Sequence, residues 1–100
     1  DDAKALLKTV MSHAGITDFS QVDAANSAAE LKLLIVKEDM KNFVGEAGQD
    51  WLAVRRLPFT TLQQLLPTIT KKTQLILPIP QEEMTRNIDL KGMQNPGYGN

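Results

Sequence analysis

Apolar residues recur at helical spacing in the first segment of the chain. They lie three or four positions apart on one continuous stripe, formed by Ala3, Leu6, Leu7, Val10, Met11 and Ala14. A stripe with this period predicts an amphipathic helix over about 2–14, with one face turned towards a core. Gly15 predicts the end of this helix, because glycine readily adopts the left-handed conformation of a helix C-terminus.

A second helix is predicted over about 27–44. Ser27 is a suitable N-cap, and Glu30 three positions later completes a capping-box pattern. This helix is apolar on two faces, which are formed by Leu31, Leu34 and Ile35 and by Leu33, Val36, Met40 and Val44. Two apolar faces need two neighbours, and one short preceding helix cannot supply both. We therefore expect that these residues are not a self-sufficient domain, and that Leu33, Val36 and Met40 are exposed or covered by a partner.

A third helix is predicted over about 49–57. Gly45 and Gly48 interrupt the preceding pattern, and Pro58 ends the third helix because the residue before a proline is biased out of the helical region. The side chains expected to face inward are Trp51, Leu52 and Val54. The three helices predict an all-α fold.

Residues 58–100 contain all five prolines and little regular pattern, so we predict an irregular tail with one or two helical turns within 60–66. We expect 75–80 to be extended and to pack on the helices, with Leu75, Leu77 and Ile79 alternating towards the core. Pro80 suits the start of a short helix, and Asn95-Pro96-Gly97-Tyr98 predicts a turn. Irregular segments this long are uncommon inside a compact domain. Because the chain also begins at Asp1 rather than Met, we expect a fragment of a larger fold or a processed product.

Composition narrows the function classes. The net charge is −1, which provides no field to attract nucleic acid, and there is no cysteine for a disulfide or a thiolate zinc site. Apolar stretches fall far short of the ~18 residues that a transmembrane helix needs. His13 is the single histidine, so we expect a structural or surface role for it, with no metal and no cofactor.

The acidic residues do not suggest catalysis. The carboxylate pairs are adjacent in sequence: Asp1 with Asp2, Glu38 with Asp39 and Glu82 with Glu83. Adjacent helical residues do not face each other, whereas glycosidases need two carboxylates across a cleft. No nucleophile, base and orienting group can be assembled from these residues. We expect that the chain is not an enzyme.

Trp51, Arg55 and Arg56 are the remaining candidates for a site. An indole ring could stack on a sugar, and a guanidinium could stack on that ring or bind a partner carboxylate. The alternative is structural, with Trp51 in the core and one arginine paired with Asp50 or with a carbonyl of the tail. We favour the structural interpretation and keep Trp51 as the ligand-binding candidate.

The tail contains an ordered set of motif residues, which are Leu77, Pro78, Ile79, Pro80, Gln81, Glu83, Met84, Asn87, Leu90, Gln94, Asn95, Pro96, Gly97 and Tyr98. They form an apolar-Pro-Ile-Pro-Gln-x-Glu-apolar run, then an Asn, a Leu and Gln-Asn-Pro-Gly-Tyr. This pattern resembles the one that closes the C-terminal part of the SusD/RagB family of nutrient-binding lipoproteins. Further upstream the chain is similar at Glu38, Glu46, Gly48, Trp51, Val54, Arg55 and Arg56, while Asp50 and Ala53 depart from the family pattern and Gly92-Met93 looks like an insertion.

This resemblance implies that residues 1–100 are the C-terminal segment of a larger, tetratricopeptide-like α-helical protein. Such a protein is anchored at the outer membrane, on the cell surface, through a lipidated cysteine upstream of this segment. It captures an oligosaccharide and delivers it to a TonB-dependent transporter. The motif residues are then expected to be structural. The alternatives are a peptide-binding member of the same family and a generic helical scaffold or adaptor segment.

Overall fold

The computed structural model describes residues 2–99, and the protein is all-α. Within this range there are six α-helices, two 3₁₀ helices and no strand. The α-helices are α1 (Asp2–His13), α2 (Ser20–Ala24), α3 (Ala28–Asn42), α4 (Gln49–Val54), α5 (Phe59–Leu65) and α6 (Gln81–Arg86), and the 3₁₀ helices are Lys72–Leu75 and Ile88–Leu90. The chain divides into two compact units, Asp1–Leu57 and Pro58–Asn100, each of which is described by itself.

The end of α1 is set by Gly15, as its sequence predicts. Gly15 has a φ of 80°. The Ile16 N–H donates to the Met11 carbonyl at 3.0 Å, and the Gly15 N–H donates to the Ser12 carbonyl at 3.0 Å. These two bonds are those of a Schellman motif, which satisfies carbonyls that the helix itself leaves without partners.

The connector between the first two predicted helices contains a helix that the sequence pattern did not indicate. Helix α2 has five residues, too few to show a 3.6-residue period. Asp18 Oδ1 accepts a hydrogen bond from the Ser20 N–H at 2.9 Å, and this bond holds the pKa of the Asp18 carboxyl below its usual value. Val22 then places its side chain in the core.

Helix α3 begins with the predicted capping box. The Glu30 N–H donates to Ser27 Oγ at 3.2 Å, and Glu30 Oε2 accepts from the Ser27 N–H at 3.2 Å and from the Asn26 N–H at 2.7 Å. The backbone hydrogen bonds, first from Asn26 and then from Ser27, lower the pKa of the Glu30 carboxyl. The reciprocal bonds satisfy backbone donors that α3 leaves free at its start.

The first unit has a core at the meeting of α1, α2 and α3. Its buried side chains are Leu7, Val22, Ala25 and Leu31, with Met11 and Leu34 packed against them. Helix α4 packs against α3 and gives that helix a second neighbour. The expectation that Leu33, Val36 and Met40 are uncovered is therefore wrong for Val36, which is 6% exposed, and Leu33 and Met40 are half-buried.

The predicted third helix ends earlier than expected. Helix α4 stops at Val54, and a turn carries the chain through Leu57, with the Leu57 N–H donating to the Val54 carbonyl at 3.0 Å. Of the side chains expected to face inward, Val54 is buried and Trp51 is half-buried, but Leu52 is exposed, so the prediction for Leu52 is wrong.

The second unit is more regular than the predicted irregular tail. Helix α5 confirms the helical turns expected within 60–66 and buries Leu62 completely. Helix α6 confirms the short helix expected after Pro80. The 3₁₀ helix Lys72–Leu75 is held at its start by Gln74, whose Oε1 accepts from the N–H groups of Thr70 and Lys71 at 2.8 Å each.

Candidate functional site

The side-chain amide of Gln94 joins the two ends of the tail motif, the extended segment around Pro78 and the turn around Pro96. Gln94 Oε1 accepts from the Ile79 N–H at 2.8 Å, and Gln94 Nε2 donates to the Ile79 carbonyl at 3.0 Å. The same Oε1 accepts from the Asn95 N–H at 2.9 Å. A primary amide carries both a donor and an acceptor, so it can pair with one residue's backbone in the way that a neighbouring strand would.

Two further side chains of the motif bind the same segment. Asn95 Nδ2 donates to the Leu77 carbonyl at 2.7 Å, and the Tyr98 hydroxyl donates to the Ile76 carbonyl at 2.8 Å. We call Gln94, Asn95 and Tyr98, together with the backbone of 76–79, the tail clamp. The clamp supplies hydrogen bonds to an extended backbone that has no strand beside it.

The Asn-Pro-Gly-Tyr turn completes the tail clamp and confirms the predicted turn. The Tyr98 N–H donates to the Asn95 carbonyl at 3.3 Å, and Gly97 has a φ of 94°. A Cβ atom built on Gly97 would lie 2.7 Å from Thr73 Oγ1 and 2.9 Å from Thr73 Cβ. Glycine is therefore required here twice, by the backbone conformation and by the close approach of Thr73.

The predicted alternation along 75–80 is only partly correct. Leu75 and Ile79 are half-buried, but Leu77 is 66% exposed. Leu75 belongs to a 3₁₀ helix, which has three residues per turn, so the two-residue period of a strand does not continue through it. The extended stretch, which begins at Ile76, is shorter than expected.

Four further motif residues, Pro78, Pro80, Gln81 and Glu83, lie just before or at the start of α6. Pro78 is exposed, Pro80 is the N-cap residue, and Gln81 is the first residue of the helix. Glu82 and Glu83 lie in its first turn, where the positive end of the helix dipole favours carboxylates. All five side chains are exposed, which fits a role in directing the chain rather than in filling a core.

Trp51 and the two arginines do not form a common site. Arg55 and Arg56 are exposed, and within residues 2–99 neither forms an ion pair or stacks on an aromatic ring. One of the two partners expected for an arginine is Asp50, but the described residues contain no such ion pair; Asp50 Oδ1 instead accepts from the Trp51 N–H at 2.8 Å. The other expected partner, a carbonyl of the tail, stays a prediction. Trp51 is half-buried, and its indole N–H is buried without a hydrogen-bond partner among residues 2–99.

The titratable residues are spread out. His13 is exposed at the end of α1, and residues 2–99 contain no cluster of acidic or histidine side chains that could hold a metal ion. Of the carboxylate pairs, Asp1 lies outside the described residues. Every helix in the described part of the chain is too short or too polar to cross a bilayer.

A groove lies between α1 and α3 in the first unit. It has a volume of about 550 Å³. Its apolar wall contains Leu6, Val10, Ile35 and Phe43, all of which are exposed. Glu38 and Asp39 also line it. The spacing of the apolar stripe predicts a face turned towards a core, but it does not reveal that Leu6 and Val10 stay exposed on this groove.

Comparison with protein-family models, with curated proteins and with solved structures gives no match for this chain. The resemblance to the SusD/RagB family therefore rests on the motif residues and stays a prediction.

Proposed function

We propose that this chain is the C-terminal part of a SusD/RagB-like lipoprotein of the outer-membrane surface. The intact protein captures an oligosaccharide and passes it to a TonB-dependent transporter without cleaving it. The observation that supports this proposal is the tail clamp. Residues of the motif that are far apart in sequence bond directly to each other, with Gln94 on Ile79 and Asn95 on Leu77.

The clamp matters because it gives the matching residues one shared physical role. Gln94, Asn95 and Tyr98 each use a side-chain donor or acceptor on the backbone of 76–79. Gly97 permits the turn that brings these side chains to that segment. The matching positions of 77–79 and 94–98 thus meet in one hydrogen-bonded arrangement, which supports a family relationship better than the same residues scattered over unrelated elements would.

In this proposal the chain contributes structure and the ligand is bound elsewhere in the intact protein. The clamp residues use their polar groups on backbone atoms, so these groups have little left to offer a sugar. Trp51 is half-buried, and the two arginines are exposed without an ion-pair partner in the described residues. The carboxylate pairs of the sequence are adjacent residues and do not lie across a cleft from each other, as the two carboxylates of a glycosidase do.

The test is calorimetry of the intact protein against a panel of oligosaccharides, combined with an assay for released reducing ends. We expect saturable binding of at least one glycan and no increase in reducing ends. Measurable hydrolysis would overturn the non-enzymatic proposal. Binding of peptides but of no glycan would change the ligand class and leave the family assignment standing.

Two variants of Trp51 separate its possible roles. Trp51→Phe keeps a smaller aromatic ring and removes the indole N–H, whereas Trp51→Ala removes the aromatic ring altogether. We expect both variants to bind glycan as the wild type does, provided that circular dichroism shows them folded. A folded Trp51→Ala variant that loses glycan affinity, while Trp51→Phe keeps it, would place Trp51 in the binding site. The coding sequence upstream gives an independent check, since a signal peptide ending in a lipobox cysteine is expected.

A further inference from the structure

The groove between α1 and α3 has exposed apolar side chains on both of its walls. Leu6 is 69% exposed and Val10 is 47% exposed, although both lie on the apolar stripe of α1. Ile35 and Phe43 continue the apolar surface on α3. Helix α1 thus buries Leu7 in the core and leaves the flank of its stripe open, and grouped exposure of this kind marks an interaction site.

The dimensions of the groove match a short helix. Its wall on α1 extends from Ala3 to Val10, and its wall on α3 extends from Ile35 to Phe43. At a rise of 1.5 Å per residue each wall is about 10–12 Å long, or roughly two helical turns. A helix laid along it would present apolar side chains at i, i+3, i+4 and i+7, the spacing used in helix-in-groove recognition.

The charge of the groove determines the chemistry of its occupant. Glu38 is only 4% exposed, and its side chain is held by Lys41 Nζ at 3.1 Å and by Asn42 Nδ2 at 3.2 Å. Asp39 is half-buried and has no ion pair within residues 2–99. It lies in the last turn of α3, where the helix dipole disfavours a carboxylate and favours a cation.

These observations favour one occupant over the others. We propose that the groove binds an amphipathic helix of a partner protein, with a lysine or arginine beside its apolar face placed over Asp39. A second copy of this chain would bring the same carboxylates into the interface from both sides. A small ligand would meet few directional groups, because the Asn42 amide already donates to the carbonyl and the carboxylate of Glu38. This inference does not depend on the proposed glycan-binding function.

Three synthetic peptides of equal length test the proposal by fluorescence anisotropy with the hundred-residue chain, once a cooperative thermal transition has shown that the chain folds on its own. The first is helical with leucines at i, i+3, i+4 and i+7 and flanking lysines, the second replaces the lysines with glutamates, and the third scrambles the leucines around the helix. We expect the first to bind at least about tenfold more tightly than the other two, because only it offers both the apolar face and the cation. Equal binding of all three, or no binding, would overturn the proposal.

Variants of the chain locate the binding. Leu6→Asp should abolish binding of the first peptide, and Asp39→Asn should reduce its advantage over the second. Ile88→Asp is the matched control, since Ile88 is 82% exposed and lies in the second unit. It should change neither the affinity for the first peptide nor the advantage of the first peptide over the second. Leu6 is exposed, so its variant should keep the far-UV circular dichroism of the wild type. Binding that survives Leu6→Asp would refute the assignment, as would a dimer in analytical ultracentrifugation that Leu6→Asp dissociates.

Discussion

Replacing Gln94 with alanine removes the centre of the tail clamp. The substitution deletes three hydrogen bonds, two to the backbone of Ile79 and one to the Asn95 N–H. Each bond contributes about 0.5–1.5 kcal/mol, and because the site is half-buried, water can replace part of what is lost. We therefore expect a local destabilisation of about 2 kcal/mol, without loss of the helices of the first unit.

Amide hydrogen exchange measured by NMR reports this loss of stability at the amides that Gln94 binds. The Ile79 N–H donates to Gln94 Oε1 and to no backbone carbonyl. A loss of about 2 kcal/mol corresponds to roughly 30-fold faster exchange through local opening. We expect this acceleration at the Ile79 and Asn95 amides. The Leu62 amide, which donates to the Pro58 carbonyl within α5, should exchange as before.

Gln64→Ala is the matched control for this experiment. Gln64 lies in the same unit, is exposed, and forms no side-chain hydrogen bond in the described residues. Gln64→Ala should leave the exchange rates of the Ile79 and Asn95 amides unchanged. The reasoning would be refuted if these amides exchanged at the random-coil rate in the wild type, or if Gln94→Ala and Gln64→Ala gave the same exchange rates.

Three further predictions concern local features of the two units. Gly97→Ala should lower the free energy of unfolding by about 1–3 kcal/mol in denaturant unfolding, because the new methyl group overlaps the Thr73 side chain and the φ of 94° is strained for alanine. Gly99→Ala is the control and should be near neutral, because Gly99 has open space around it. Ile79→Asp should cost about 2 kcal/mol, as burying an unpaired charge does, whereas Leu77→Asp should have little effect because that side chain is mostly exposed. The folded-state pKa of Glu30 is lowered, so its contribution to stability is present above the carboxyl's unfolded pKa and is lost as the pH falls through the lower folded value. Glu30→Gln should therefore flatten the acid limb of the unfolding curve measured by circular dichroism.

Each of these predictions has an outcome that contradicts it. Equal unfolding midpoints for Gly97→Ala and Gly99→Ala would show that the close approach of the turn to Thr73 is absent in solution. Equal effects at positions 77 and 79 would show that the two side chains have similar burial. An unchanged acid limb in Glu30→Gln would mean that the capping carboxylate has the same pKa in the folded and unfolded chain.

Local sequence alone determines how several elements begin and end. The capping box of α3 joins Ser27 and Glu30, which are three residues apart, and the stop of α1 needs Gly15 and carbonyls of the preceding turn. The turn at Asn95–Tyr98 follows from Pro96 and from the positive φ of Gly97. These features are predictable because every partner lies within a few residues, so the pattern of residue types fixes the geometry.

Position in the tertiary structure decides the burial of each apolar residue. The stripe of α1 identifies Leu6 and Leu7 equally, yet Leu7 lies in the core and Leu6 is exposed on the groove. Val36 looked uncovered because the sequence does not reveal that α4 packs against α3. Periodicity gives the faces of a helix, but the number and the position of its neighbours determine which faces are buried.

The tail clamp combines both kinds of information. Sequence indicates an extended segment near Pro78 and a turn at Pro96, and it places a glutamine and an asparagine immediately before that proline. It does not indicate that the Gln94 amide pairs with the backbone of Ile79, fifteen residues earlier. Only the fold brings these groups within hydrogen-bonding distance, because a bond across a loop depends on the path of the chain between its ends.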